Sequence, residues 1–170
     1  NNCSFEELRK MFIEYGEERE AGRIARKITE SRLQKEIDST LELAEIIESA
    51  TYSKHKIKAK ARIFQALRIY VNNEIEDLRE ALKEAVLALN SGGRIVVISY
   101  HSLEDRVVKK FFAEEAKDCI CPSSFPRCNC TKVATLKILT KKPIIPTAAE
   151  IAVNRRSKSA KLRIAEKMEV

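Results

Sequence analysis

The sequence predicts an α/β fold in which a helical part precedes the closing strands and helices of a sheet. Three observations lead to this prediction. Apolar residues recur at helical spacing along most of the chain before Asn90. Four consecutive aliphatic residues, Ile95 to Ile98, then follow a pair of glycines and are typical of a buried strand. Beyond this strand the pattern alternates between helix and strand to the end of the chain, so we expect the sheet in the second half.

Bulk composition narrows the class of protein only partly. The 170 residues allow one domain or two small ones. A net charge of +7 favours a polyanionic partner without requiring one. No apolar stretch reaches the ~20 residues of a membrane span, and no secretory leader is visible. We therefore expect no membrane partner and a cytoplasmic location. The start at Asn1, without an initiator methionine, suggests a fragment.

The first helices have clear start signals. Ser4 to Glu7 forms the pattern of a capping box and opens a first helix, which Gly16 is expected to end. A second helix is predicted from about Glu17 to Arg32. Ser39 to Glu42 is another capping box and opens a third helix.

A basic link and a long helix follow. Thr51 to Lys60 is polar and rich in lysine, so we predict a link there. From Ala61 to Leu89 the helical pattern continues, with a bend at Asn72–Asn73, whose side chains compete with the backbone for hydrogen bonds. We place the domain boundary here, with a helical domain at 1–73 and the α/β part at 74–170.

The second part opens with the strand Ile95 to Ile98, after a helix that ends at the glycine pair. Its unbroken aliphatic run suits a central parallel strand covered on both faces. Leu136 to Thr140 alternates like a second strand, and Thr147 is placed to cap a short helix through Val153. Lys161 to Ala165 is the last predicted strand.

So small a sheet is expected to be incomplete. Two or three strands are marginal without further pairing, which again points to missing sequence. An unpaired strand edge is also a route to a homodimer or to strand exchange.

A dense polar cluster follows the first strand directly. Ligands of open α/β sheets bind just beyond the carboxyl ends of strands, so this cluster is expected to form part of a site. Its members are Ser99, Tyr100, His101, Ser102, Glu104, Asp105 and Arg106.

Four cysteines form a symmetric C-x-C…C-x-C pattern. They are Cys119, Cys121, Cys128 and Cys130. Four thiolates suit tetrahedral zinc, although C-x-C is tighter than the common C-x2-C spacing. Free thiols are the main alternative, and disulfides are disfavoured in a reducing cytoplasm.

Two basic patches are candidates for contact with phosphate. The first contains Lys56, Lys58 and Lys60. The second contains Arg155, Arg156, Lys158 and Lys161. Such contacts add salt-dependent affinity but carry no sequence information. Solvated surface is the alternative for each patch.

Four blocks of sequence carry a resemblance to a known family. They are Tyr15 to Arg19, Phe64 to Glu74, Gly92 to Arg106 and Asn154 to Arg163, and together they span essentially the whole chain. In this order they resemble the bacterial methyltransferases that modify the N4 amine of a cytidine in 16S ribosomal RNA with S-adenosylmethionine. The block His101-Ser-Leu-Glu-Asp-Arg106 after a strand is the most specific of them.

The resemblance implies a Rossmann-like methyltransferase domain interrupted by a helical insert. This chain then corresponds to most of the insert, 1–73, and to the closing part of the catalytic domain, 74–170. The N-terminal half of the sheet, with its glycine-rich cofactor loop, is expected to be missing, because the chain has only four glycines. No cofactor-binding residue is therefore assigned here, and the fragment is expected to be inactive alone.

The resemblance also suggests roles for the polar cluster. A target cytosine must leave its stack to meet a methyl donor, and its amine must be aimed at the methyl group. Ser99, His101 and Ser102 are the candidate catalytic residues for this positioning. In the alternative interpretation, Asp105 and Arg106 pair to cap the helix start. The rival function is a non-catalytic basic RNA-binding or ribosome-associated module.

Overall fold

A computed structural model describes residues 1–52, 54–121 and 130–169 of the chain. The chain divides into two compact units, Asn1–Glu74 and Ile75–Val170. Each unit has a hydrophobic core of its own. Within the described ranges, no helix combines the length and the apolarity needed to cross a membrane.

The first unit is built from four helices. They are α1 (Phe5–Glu14), α2 (Ala21–Gln34), α3 (Thr40–Ala50) and α4 (Lys56–Val71). Helix α1 packs on α2 and α4, and α3 packs on the same two helices. The fully buried side chains of the core include Phe12, Ile24, Ile47 and Ile63, one from each helix. Helical spacing of apolar residues therefore produces a closed four-helix arrangement.

The predicted starts of the first and third helices are confirmed. The Ser4 hydroxyl accepts from the Glu7 N–H at 3.2 Å, and the Glu7 carboxylate accepts from the Ser4 N–H at 2.6 Å, which completes the capping box. The Ser39 hydroxyl accepts from the Glu42 N–H at 3.1 Å. The Glu42 carboxylate accepts from the N–H of Asp38 at 3.2 Å rather than from that of Ser39, so the second predicted capping box is present only as a serine cap. Both helices thus satisfy N–H groups that lack helical partners.

The turn between α1 and α2 differs from the prediction. Helix α2 begins at Ala21 rather than at Glu17, because Glu17 takes a left-handed conformation with φ of 48°. Gly16 is required for a different reason: a Cβ there would lie 2.7 Å from the Phe12 carbonyl oxygen and 3.0 Å from that of Arg62. Glu17 therefore provides the turn of the backbone, and Gly16 allows the close packing of the helices.

The predicted link and the long helix are also revised. Helix α4 begins at Lys56, so half of the expected link is helical, and Ala59 is buried on its inner face. The expected helix from Ala61 to Leu89 is two helices, because Asn73 has φ of 53° between α4 and the next helix. Asparagine tolerates this left-handed region better than most residues.

The second unit surrounds a small sheet. Its elements are α5 (Glu74–Ala88, whose first residue closes the first unit), β1 (Arg94–Ser99), α6 (Ser102–Glu115), β2 (Leu136–Ile138), α7 (Ala148–Val153), a 3₁₀ helix (Arg155–Ser159) and β3 (Lys161–Lys167). The strand order is β1-β3-β2, and β3 is antiparallel to both neighbours. The mixed α/β class is therefore confirmed, with a three-stranded antiparallel sheet among the described residues.

The prediction of a parallel β1 covered on both faces is wrong for the described chain. Strand β1 pairs only with β3 there, antiparallel, with Ile98 opposite Leu162. Ile95 is buried under the helices, but Val96 and Ile98, on the other face, are 54% and 53% exposed. A run of aliphatic residues supplies two apolar faces, yet it does not say which partner covers the second. Dimerisation through the free edge stays a prediction.

The inner face of the sheet packs on α5 and α6. Leu82 and Val86 of α5, Val108 and Phe112 of α6, and Ile95 with Ala165 of the sheet belong to one buried cluster. Lys167, at the end of β3, donates from Nζ to the carbonyl oxygens of Val86 and Leu89, at 2.8 Å each. This cation satisfies the last carbonyl groups of α5, where the helix dipole favours positive charge.

Candidate functional site

The turn between β1 and α6 is shaped by a capping box in which histidine takes the place of serine. His101 Nδ1 accepts from the Glu104 N–H at 3.4 Å. In return, Glu104 Oε2 accepts from the His101 N–H at 3.3 Å and from the Tyr100 N–H at 2.9 Å. Because Nδ1 is the acceptor, a neutral His101 carries its ring proton on Nε2.

The other ring nitrogen of His101 is a polar atom whose hydrogen bonding is not satisfied within the turn. Nε2 is buried and has no hydrogen-bond partner among the described residues. It lies 3.2 Å from Glu104 Oε1, but outside the directions that a hydrogen bond requires. The imidazole therefore keeps one N–H that a bound base could satisfy, while Glu104 fixes the ring from the other side.

Asp105 lies in the first turn of α6 and anchors that turn to β3. Arg163 donates from Nε to Oδ1 at 2.7 Å and from Nη2 to Oδ2 at 3.2 Å, and Lys161 Nζ lies 3.3 Å from Oδ2. Burial by itself would raise the pKa of Asp105, but the hydrogen bonds and charges of Arg163 and Lys161 outweigh it, so this pKa lies below its ordinary value. Asp105 is thus held ionised and fixed in place.

Asp105 is bound by two cations of β3, Arg163 and Lys161, whereas the alternative interpretation from the sequence paired it with Arg106. Arg163 was missed as a site residue, although a signal existed. Arg163 lies two residues before buried Ala165 and therefore on the same inner face of β3. A cation in such a buried position requires an acidic partner.

The three predicted catalytic residues differ in surroundings. Ser99 is buried, and its hydroxyl donates to the Lys161 carbonyl oxygen across the sheet at 3.4 Å. His101 is half-buried, and Ser102 is exposed at the first position of α6. Ser99 therefore contributes to the sheet, Ser102 lies at the surface, and His101 keeps its Nε2 atom buried. Their catalytic role stays a prediction.

A cavity of about 250 Å³ lies beside Arg163, the partner of Asp105. It is lined by Lys109, Phe112, Ala113, Ile138, Thr140, Lys141 and Arg163. Ser99, His101 and Ser102 are not among its lining residues. A base pocket at the β1–α6 turn is therefore a prediction that the cavity neither supports nor excludes.

The second basic patch lies just before β3 in the chain, close to the β1–α6 turn. Arg155, Arg156 and Lys158 are exposed on the 3₁₀ helix, while Ser157 between them is buried and donates to the Asn154 carbonyl oxygen at 2.8 Å. That helix runs into β3, whose first residue, Lys161, lies opposite Ser99. Three exposed cations thus precede the strand end beside the β1–α6 turn, while Lys161 itself is occupied with Asp105.

The first basic patch is partly neutralised. Lys60 and Lys56 lie 2.7 and 3.8 Å from the Glu48 carboxylate. The hydrogen bond and charge of Lys60 lower the pKa of Glu48. Lys58 is exposed, and the described structure shows no ion pair for it. This patch therefore offers less free positive charge than its sequence suggests.

Three of the four predicted metal ligands converge. The thiol sulfurs of Cys119, Cys121 and Cys130 all lie within 4.8 Å of one another. Cys128, the fourth, lies outside the described residues. The sequence pattern thus corresponds to a real cluster for the three residues that are described.

No glycine of this chain occupies the position of a cofactor loop. Gly16 and Gly22 belong to the helical unit, and Gly92 and Gly93 precede β1 in the turn from α5. A loop that holds the methionine and ribose of S-adenosylmethionine follows a strand, and none of the four does so. That no residue of this chain binds the cofactor stays a prediction.

Comparison with known proteins gives a consistent result. The model of the MraW methylase family matches residues 1–168. Ribosomal RNA small subunit methyltransferase H of Carboxydothermus hydrogenoformans is 55% identical over 99% of this chain and 55% of its own length. The proteins of that name from Caldicellulosiruptor saccharolyticus and Clostridioides difficile are 51% and 47% identical, with the same coverage of both chains.

The chain spans about half the length of the curated relatives it matches. The blocks from Tyr15 to Arg163 that carried the resemblance all lie within the region matched by the family model. The resemblance inferred from the sequence is confirmed, and this chain belongs to the MraW methylase family.

Proposed function

We propose that this chain is part of an S-adenosylmethionine-dependent methyltransferase that modifies the N4 amine of a cytidine in 16S ribosomal RNA. The observation that carries the proposal is the high identity, over nearly the whole chain, to relatives named ribosomal RNA small subunit methyltransferase H. The capped turn at His101 supports it, because this turn holds a ring N–H that lacks a partner. The expected location of such a protein is the cytoplasm.

The β1–α6 turn would position the target base. Methyl transfer to an aromatic amine depends on aim more than on a strong base, since the nitrogen lone pair is delocalised into the ring. With its proton on Nε2, and after a movement of the turn that exposes this buried atom, His101 donates to an acceptor such as N3 or O2 of an extruded cytosine. The Ser102 hydroxyl accepts from the N4 amine and turns it toward the donor. Ser99 supports the turn from within the sheet.

The methyl group would come from the sulfonium of S-adenosylmethionine, bound mainly by residues outside this chain. The residues described here contribute the positioning of the base and of the RNA. Arg155, Arg156 and Lys158 contact phosphate groups next to the target, and Lys58 is the remaining candidate on the helical unit. Lys161, Lys56 and Lys60 hold carboxylates, so their contribution to RNA affinity is indirect.

Methyl transfer by the full-length gene product to small ribosomal subunits tests the proposal. Incorporation of labelled methyl is measured, and the modified nucleoside is identified by mass spectrometry. We expect N4-methylcytidine, and a loss of about 100-fold or more in kcat/KM for His101→Ala, in line with positioning residues. Lys83→Ala, an exposed position on α5, is the control and should leave the rate unchanged.

Product at another atom of the RNA would refute the N4 assignment. Unchanged transfer by His101→Ala would remove the proposed role of the turn. The 170-residue chain alone should neither transfer methyl nor give heat on titration with S-adenosylmethionine. Activity of this chain alone would show that our assignment of the cofactor residues is wrong.

The rival function is a non-catalytic RNA-binding or ribosome-associated module. The exposed cations of the 3₁₀ helix favour it as much as they favour the enzyme. Salt-dependent binding of small subunits by the full-length product, without any methyl transfer, would support this module. A reading frame that continues upstream into a glycine-rich strand–loop–helix segment would support the enzyme.

A further inference from the structure

We propose that the loop between α6 and β2 binds one zinc ion through the thiolates of Cys119, Cys121 and Cys130. These sulfurs lie within 4.8 Å of one another, and those of Cys119 and Cys130 are 3.7 Å apart. The proposal is independent of the function proposed above, since it rests only on these residues and their surroundings.

The sulfur separation matches tetrahedral coordination. Zinc–thiolate bonds are about 2.3 Å long, which places two sulfurs of a tetrahedral site about 3.8 Å apart. The Cys119–Cys130 distance of 3.7 Å therefore already fits one edge of such a tetrahedron. The other separations, at up to 4.8 Å, need only small side-chain rotations. Three thiolates leave one coordination position for a further donor.

Contacts at the base of the loop bring the ligands together. The Thr135 N–H donates to the Glu115 carbonyl oxygen at 2.8 Å, and the Ala134 N–H donates to the Asp118 carboxylate at 3.3 Å. Lys132 Nζ lies 3.6 Å from the Glu115 carboxylate. These contacts join the segment before Cys119 to the segment after Cys130, so part of the entropy cost of assembling the site is met by protein contacts alone.

The immediate surroundings favour the ionised ligands. The Cys121 N–H points at the Cys119 sulfur, 3.3 Å away. A backbone donor of this kind stabilises a thiolate and orients a metal ligand. Cys119 is exposed, and Cys121 and Cys130 are half-buried, so an ion can reach all three.

The position of the loop indicates a structural ion. Cys119 follows the C-terminal end of α6, whereas His101 caps the opposite end of this 14-residue helix. At 1.5 Å per residue these ends are about 21 Å apart. Zinc would therefore hold the α6–β2 loop together and take no part in events at the β1–α6 turn.

Metal content of the purified full-length gene product tests the proposal directly. The product is prepared under reducing conditions with zinc, desalted and measured by plasma mass spectrometry. We expect about one zinc per chain, falling to about a tenth of that or less in Cys119→Ser and Cys130→Ser. Cys3→Ser, which removes the half-buried cysteine of the helical unit, is the matched control and should retain the metal.

Two measurements on the wild-type product keep the test valid if a variant misfolds. Cobalt should replace zinc and give the visible bands and thiolate charge-transfer bands of tetrahedral sulfur coordination. Zinc should also slow alkylation of Cys119, Cys121 and Cys130 at least about tenfold, as thiolate ligands are withdrawn from reaction, while Cys3 stays unaffected. No bound metal, or equal alkylation of these cysteines with and without zinc, would overturn the proposal.

Discussion

Replacing Asp105 of α6 by asparagine should destabilise the second unit more than removal of an exposed charge from the sheet does. The side chains of Asp105 and Arg163 are only 12% and 8% exposed, and two hydrogen bonds join them. Asparagine keeps the shape but leaves the Arg163 charge buried without a counter-charge. Breaking a buried pair in this way costs about 3 to 5 kcal/mol, and we expect the lower end because Lys161 can turn to water.

A charge removal on β3, the strand that carries Arg163, supplies the control. Glu166 of β3 pairs with Arg94 of β1 at 3.0 Å, but the Arg94 side chain is 65% exposed. Glu166→Gln should therefore cost less than about 1 kcal/mol. Hydrogen exchange of β3 and α6 peptides, measured across a urea series, reports the second unit without interference from the first.

In exchange rates the difference is large. A loss of 3 kcal/mol corresponds to an increase on the order of 100-fold in globally limited exchange, against less than about tenfold for the control. Equal effects of Asp105→Asn and Glu166→Gln, or a change below about 1 kcal/mol for Asp105→Asn, would refute the argument that burial sets the strength of this pair.

The same pair predicts a dependence on acid. The folded-state pKa of Asp105 lies below its ordinary value of 3.8. The stabilisation from this group is therefore fully present above pH 3.8 and is lost as the pH falls from there through the folded-state pKa. Between neutral pH and about pH 5 it should be constant. In Asp105→Asn, the unfolding free energy of the second unit should fall less steeply as the pH is lowered below about 4. The same pH dependence in the variant and the wild type would contradict the stabilising role of ionised Asp105.

Three further predictions concern packing, capping and RNA contact. Gly16→Ala should destabilise the helical unit by about 1 to 3 kcal/mol in urea unfolding. Gly22→Ala, whose new Cβ would meet nothing closer than 3.7 Å, should stabilise it by up to about 1 kcal/mol. Stability changes of the same sign in both variants would contradict the packing argument. Glu104→Ala should cost about 1 kcal/mol, seen as faster exchange at the start of α6, because two backbone N–H groups lose their acceptor; unchanged exchange would exclude this capping role. Arg156→Gln should reduce the salt dependence of binding to small ribosomal subunits by about one phosphate contact, while Arg79→Gln on α5 should not; equal slopes would remove the 3₁₀ helix from the RNA interface.

Local sequence signals predicted the fold well where the partner of each group is near in sequence. The capping serines at positions 4 and 39 act on N–H groups three residues away, so their patterns could be read directly. The ends of helices were harder. Asn73 and Glu17 take left-handed conformations. The sequence indicated a bend at Asn72–Asn73, but near Glu17 it indicated Gly16 instead.

Contacts between distant residues decided what the sequence left open. Glu18 and Arg62 are 44 residues apart, and their pair connects the α1–α2 turn to α4. Asp105 and Arg163 are 58 residues apart, so the sequence suggested the neighbouring Arg106 instead. The antiparallel pairing of β1 with β3 belongs to the same class. Such pairings depend on the path of the whole chain, which no local pattern encodes.

By itself, the sequence determined the family, the mixed α/β class and the location of the polar turn at His101, because these follow from short ordered motifs and local periodicity. Only the tertiary structure decided which groups are held and which stay available. It placed Lys161 on Asp105 and Lys60 on Glu48, left Arg156 exposed, and brought three thiols together. The physical reason is that charge and coordination act over a few ångströms in space, whatever the separation along the chain.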